Sequence, residues 1–266
     1  MEISAQVKTV PCNWDQFGAS VRLQDGAPID RLFRGQADAS WALVSPIARG
    51  RFDQFRRSPK FHSSVRTDGK SLGSGQIEHF KILATGLNGV DLRPASQLGW
   101  EALARHNGLT SNLLDWSDSP YIAAFFAFSA ALDSANDGRL MSGRLEQEDV
   151  CSPSEDVCVW RLGISQDLWI KDEFEFLSSH EAVNRRQKAQ LGAFTRLSHD
   201  EHLDLESYLK SRSQLDRLTR FVIPGSETWK ALHDLNLMNI NFATVYPDLY
   251  GAAMQANAAS MLMLLV

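Results

Sequence analysis

The stretch "SPYIAAFFAFSAALDSA" (Ser119–Ala135) limits the folds open to this chain more than any other. Ser119 reads as a helix cap, and Pro120 suits the first helical position, where no amide hydrogen is needed. The dozen residues that follow are apolar on every side of the helix. In a protein that stays in water such a helix lies at the centre of the core, with other elements packed all round it. The 266 residues, 44% hydrophobic and 22% charged, are enough to supply that packing.

The surrounding elements read as short strands and helices in irregular order. "ASQLGWEALARHNG" (95–108) predicts a helix stopped by Gly108. "VCVWRL" (157–162) and "GAFTRL" (192–197) read as strands, with the polar helix "SSHEAVNRRQKAQ" between them. "SETWKALHDLNLM" is amphipathic, offering Trp229, Leu232, Leu235 and Leu237 to a core. "NINFATVYP" reads as a closing strand that stops at Pro247. Leu32 and Phe33 form a short apolar strand ending at Arg34. This mixture predicts an α+β fold, one domain over 1–266 built around the buried apolar helix. Gly, Ser and Asp-rich loops are expected near 66–76 and 133–156.

Bulk properties exclude some functions. A net charge of −5 argues against a general binder of nucleic acid or anionic membrane. The cation-rich "RGRFDQFRRSPK" (49–60) reads as a solvated loop or a phosphate-contacting strip. Cys12, Cys151 and Cys158 form neither an even set nor a C-x-x-C pair, so no disulfide framework or zinc knuckle is indicated. "MEISAQVKTV" lacks the features of a signal peptide, and the apolar "SMLMLLV" is far too short to span a membrane. A cytoplasmic protein without a membrane partner is the expectation.

Candidate chemistry concentrates in two places. In "FRGQ", glycine beside Arg34 permits close approach of a backbone or ligand, and Gln36 adds a second polar group. In "RHNGLTSNLLDWSDSP", His106, Thr110, Ser111, Asn112 and Asp115 crowd the entrance to the apolar helix, whose N-terminus favours an anion. Asp115 reads as a cap, a partner of a core arginine or a site carboxylate. Trp116 reads as core, with its N–H on a carbonyl. Ser111, His106 and Asp115 nominally offer a hydrolase triad, without the G-x-S-x-G elbow. "HDEH" (199–202) reads as a solvated face, so no metal is expected. The E-x-E of Glu173 and Glu175 would put both carboxylates on one face of a strand.

Four blocks in order resemble the FRG domain family, named for Phe-Arg-Gly: "FRGQADASWALVSPIAR", "HNGLTSNLLDWSDSPYIAAFFAF", "RRQKAQLGAF" and "IPGSETWKALHDLNLMNINFATVYPDLYGAA". The resemblance implies a site containing Arg34, Arg49, His106, Asp115 and Gln190. It departs where the family reads P-T-R and this chain has Thr110, Ser111 and Asn112. If that arginine binds a phosphate in the family, this chain would bind it less strongly or borrow another cation such as Arg105, and a loss of activity is the further alternative.

The family layout is in turn similar to ADP-ribosyltransferases. By that analogy Arg34, Ser111 and Gln190 follow the order of a nicotinamide-nucleotide site. It implies NAD as substrate: Arg34 on the pyrophosphate, His106 and Ser111 along the ribose, and Asp115 or Glu175 (with Glu173) at the oxocarbenium ion. Gln36, Arg49, Asn112 and a stacking Trp41 or Trp116 complete the nucleotide contacts. The activity implied is an ADP-ribosyltransferase or NAD glycohydrolase serving as a bacterial toxin or anti-phage effector. A protein or nucleic-acid acceptor and a cognate inhibitor or partner protein would accompany it. The alternative is a non-catalytic nucleotide-sensing or protein-interaction domain in a defence system.

Overall fold

The apolar helix is where the sequence puts it, at the middle of the structure. A computed structural model describes residues 6–22, 31–46, 74–85, 96–138, 151–165, 168, 173–178, 185–197 and 204–262. Among them the helices are α1 (Trp14–Val21), α2 (Ser74–Thr85), α3 (Gln97–His106), α4 (Pro120–Ala135), α5 (Arg185–Ala189), α6 (Leu205–Ser211), α7 (Thr228–Leu237), α8 (Phe242–Val245) and α9 (Leu249–Leu262). The strands are β1 (Lys8–Pro11), β2 (Arg31–Gln36), β3 (Leu113–Ser117), β4 (Val157–Gly163), β5 (Phe174–Leu177), β6 (Gly192–Leu197) and β7 (Leu218–Ile223). Helix α4 is the predicted one, with the Ser119 hydroxyl accepting the Ile122 N–H and Pro120 in the first turn.

The seven strands make one sheet in the order β1-β7-β4-β2-β3-β6-β5. Only the β1–β7 pair is parallel. The mixed, α+β class is therefore observed. Period-2 alternation divides the strands between two layers. Phe33, Val157, Val159, Phe221 and Ile223 pack under α1, α4 and α7. Leu32, Leu114, Trp116, Trp160 and Leu162 face α6 on the other side. Leu98 and Ala102 of α3 cover Leu113, Leu177 and Phe194.

Three elements differ from the sequence reading. Strand β2 does not end at Arg34 but runs on through Gln36, paired residue for residue with β4. Gly35 is thus a mid-strand glycine: a Cβ there would stand 1.9 Å from the Ala123 carbonyl oxygen of α4. The glycine lets β2 lie directly on the helix backbone. The segment around Phe242 is a helical turn rather than a closing strand. Asn241 and Thr244 form a reciprocal capping box that ties up the amides a strand would have offered to a neighbour. Leu237, expected in the core, is exposed at the last turn of α7. Of the expected loops, 66–73 and 139–150 lie outside the described residues, while 74–76 and 133–135 are helical.

Candidate functional site

Strands β2 and β3 pair at Phe33 opposite Ser117, and this is the one rung between them. Next to that rung Arg34 crosses to β3. Its Nη1 donates to the Asp115 carbonyl oxygen at 2.7 Å and lies 3.4 Å from the carboxylate. Helix α3 brings a second guanidinium. Arg105, in its last turn, donates from Nε and Nη2 to the two Asp115 carboxylate oxygens at 3.2 and 2.9 Å. The fork is bidentate, the geometry in which arginine holds a carboxylate or a phosphate best.

The three side chains grade from buried to open: Arg34 is 13% exposed, Arg105 28% and Asp115 39%. Burial works against the charge of Arg105, but the Asp115 carboxylate and its hydrogen bonds outweigh it and hold the guanidinium above its ordinary value. Among these three side chains two cations share one anion, a net positive charge in a chain whose overall charge is negative.

A second cluster adjoins through β3. Asp115 and Ser117 are two residues apart on the same face. The Ser117 hydroxyl donates to the Gln190 carbonyl, and the Gln190 side chain donates to the Val245 carbonyl at 3.4 Å. Next to Val245 stands Tyr246, whose phenol burial pushes up to about 12, helped by the nearby charges of Tyr250 and Asp115 and opposed by Arg186. Arg186 lies over the rings of Tyr246 and Tyr250, each 5.4 Å from its guanidinium carbon, and donates Nε to Asp248 at 2.6 Å. Asp248 also accepts the Gly251 N–H at the start of α9. Gly251 is needed there, since a Cβ would meet the Tyr246 carbonyl at 1.9 Å. The "YPDLYG" block therefore places Tyr246 and anchors Arg186.

The other expected site residues are distributed differently. Gln36 is buried, its amide oxygen accepting the Trp160 indole N–H and its nitrogen donating to the Ala42 carbonyl. Trp116 is buried with its N–H on the Thr195 hydroxyl. Ser111 is buried and accepts the Leu113 N–H. Asn112 is clasped between the Ser45 hydroxyl and the Leu197 carbonyl. These four hold the strands that carry the cluster. Trp41 is 42% exposed. Glu175 pairs with Arg196, which also takes Glu101 at 2.7 Å, and Glu173 pairs with Arg212. Glu173 precedes β5, so the two glutamates do not share a strand face. Arg49, His199 and His202 lie outside the described residues, as does the side chain of His106. Among the described residues no group of His, Cys, Asp and Glu is gathered to hold a metal.

Residues 30–136 match the family model of the FRG domain. The segment 30–136 has the sequence of an FRG domain. The matched span runs from β2 to the end of α4 and contains Arg34, Arg105 and Asp115, while Arg186, Tyr246 and Asp248 fall beyond it. Neither the comparison with curated proteins nor that with solved structures gave a match. No helix among the described residues is long and apolar enough to cross a membrane.

The FRG arginine gains its partner through the strand pairing, 81 positions away in sequence. Arg186, Tyr246 and Tyr250 carried no assigned role in the sequence reading. Their signal was present in the "RRQ" and "YPDLYG" blocks, but nothing local links segments some 60 residues apart.

Proposed function

We propose that this FRG-domain protein recognises a nucleotide, with the Arg34–Arg105–Asp115 cluster as the docking point for its phosphates. The observation that carries this reading is the bidentate Arg105 fork on a partly open carboxylate, backed by a second, better-buried guanidinium. A phosphate presents the same oxygen geometry as that carboxylate and exchanges with it. Arg34 stays anchored on the Asp115 carbonyl throughout, so the exchange does not undo β2 and β3. A nucleotide sensor in a defence system is the biological setting this reading favours.

The second reading is an NAD-consuming ADP-ribosyltransferase or glycohydrolase acting as a toxin or anti-phage effector. It needs a carboxylate facing the developing oxocarbenium ion. Glu173 and Glu175 are held by arginines, so Asp115 is the carboxylate of the expected set that stands in the cluster. Two guanidiniums beside it weaken its negative field at that point, which favours the binding reading.

Calorimetric titration of NAD and ADP-ribose at low salt tests both. Binding is expected in the wild type, weakened by salt and reduced about tenfold or more by Arg105→Gln, the scale of a charge-assisted pair. Asp115→Asn removes the carboxylate that competes with the phosphate for Arg105 and is expected to raise affinity. NAD turnover that Asp115→Asn abolishes would establish the enzyme instead. A wild-type protein that binds neither compound overturns the nucleotide reading.

A further inference from the structure

Arg186 is held as few surface arginines are. Its Nε is bonded to Asp248, and its guanidinium lies over two tyrosine rings, Tyr246 half-buried and Tyr250 half exposed. Among the described residues neither Nη group has a hydrogen-bond partner, and the side chain is 33% exposed. Ion pair and ring contacts fix the guanidinium while leaving its outer edge, the edge that grips an oxyanion in a bidentate manner, unused. Little rotamer freedom remains to be lost on binding, which is the condition for tight anion capture.

The position of this arginine relative to Asp115 follows from the chain of contacts. Gln190, one helical turn after Arg186, donates its backbone N–H to the Arg186 carbonyl and receives the Ser117 hydroxyl on its own carbonyl. Ser117 is two strand positions from Asp115. One turn of helix and two strand residues make a backbone path of about 12 Å between the two cationic points, within the reach of one dinucleotide. The Asp115 charge is also felt at Tyr246, on which Arg186 lies. A nucleotide with a phosphate apart from its pyrophosphate offers an anion to each point.

Resting on the nucleotide reading above, we propose that Arg186 takes a second anionic group and selects a dinucleotide phosphorylated on its ribose over the unphosphorylated one. Arg34 and Arg105 hold the pyrophosphate, and Arg186 receives the ribose phosphate. Tyr250, half exposed beside the guanidinium, offers a ring face to the adjoining base or sugar.

NADP and NAD differ by that one phosphate, so the pair isolates the contribution of Arg186. Calorimetric titration of each into the full chain is expected to show at least tenfold preference for NADP in the wild type. Arg186→Lys keeps a charge near Asp248 but loses the fork, and Arg186→Gln loses both. Each is expected to bring the NADP-to-NAD ratio near one while leaving NAD affinity as in the wild type. Tyr250→Leu leaves the ion pair intact, and a several-fold fall in the same ratio at unchanged melting temperature is expected. A wild-type ratio near one overturns the inference and leaves the nucleotide reading standing if NAD binds. A preference that survives in both Arg186 variants also overturns it, reducing Arg186 to an anchor for α9. Failure of both dinucleotides to bind overturns the parent reading along with it.

Discussion

Helix α3 contributes to two ion triads of opposite composition, one turn apart. Glu101 joins Glu175 around Arg196, two carboxylates on one cation, and Arg105 joins Arg34 around Asp115, two cations on one carboxylate. The central groups lie on neighbouring strands, with Arg196 opposite Leu113 and Asp115 opposite Phe194. Their surroundings differ. In the first triad Glu101 is only 6% exposed and the central Arg196 19%, with Glu175 the open member at 32%, so the centre is closed in. In the second, the central carboxylate is the most open member. Similar parts thus make a clasp in one place and, on the nucleotide reading proposed above, an anion-exchange point in the other, with the sign left over and the exposure of the centre as the difference.

Removing the centre of the closed triad should have the largest effect. Arg196→Ala strands the buried Glu101 beside Glu175, and a loss of about 3 kcal/mol is expected from urea unfolding, the scale for a buried charge deprived of its partner. Gly35→Ala comes next. Its Cβ pushes β2 off α4, costing about 2 kcal/mol as overpacking does, and displaces Arg34 from Asp115 while the Arg196 triad persists. Loss of nucleotide binding with the Glu101–Arg196 pair intact in a crystal structure would show that the triads are separable.

Asp115→Asn is expected to cost about 1 kcal/mol or less, because the carboxylate is partly solvated and its backbone carbonyl keeps Arg34 in place. A stability loss matching that of Arg196→Ala would end the contrast between the two triads. The smallest effect is in pH dependence. Burial raises the Glu101 carboxyl above its ordinary 4.5, with Arg196 only partly opposing this. The folded state then holds a proton the unfolded chain has released, so Glu101 contributes stability that declines as pH rises from about 4.5 through its folded value. Subtracting the Glu101→Gln curve from the wild-type curve in urea titrations should expose that falling limb.

Much of this could be read in advance from local signals. The apolar Ser119–Ala135 stretch carries its cap, its proline and its all-round hydrophobicity within a few residues, so α4 was fully specified. The FRGQ and LLDW blocks located Arg34 and Asp115, and Arg105 was one option for the cation missing at Asn112. What could not be read was register. Whether Gln36 faces a ligand or the Trp160 indole depends on β2 lying beside β4, a pairing across 124 positions. The same holds for Glu175, whose fate rests on β5 meeting β6 at Arg196. Around Phe242, capping by Asn241 and Thr244 overrode β-branched residues that favour a strand.

The parallel pairing of β1 with β7 has a consequence for how the protein is made. Lys8 meets Thr219, made roughly 210 residues later, which at about 5–20 residues per second is a wait on the order of ten seconds or more. Until then the first strand has no neighbour in the sheet. The newborn chain must keep that edge from pairing with other chains until β7 has been made.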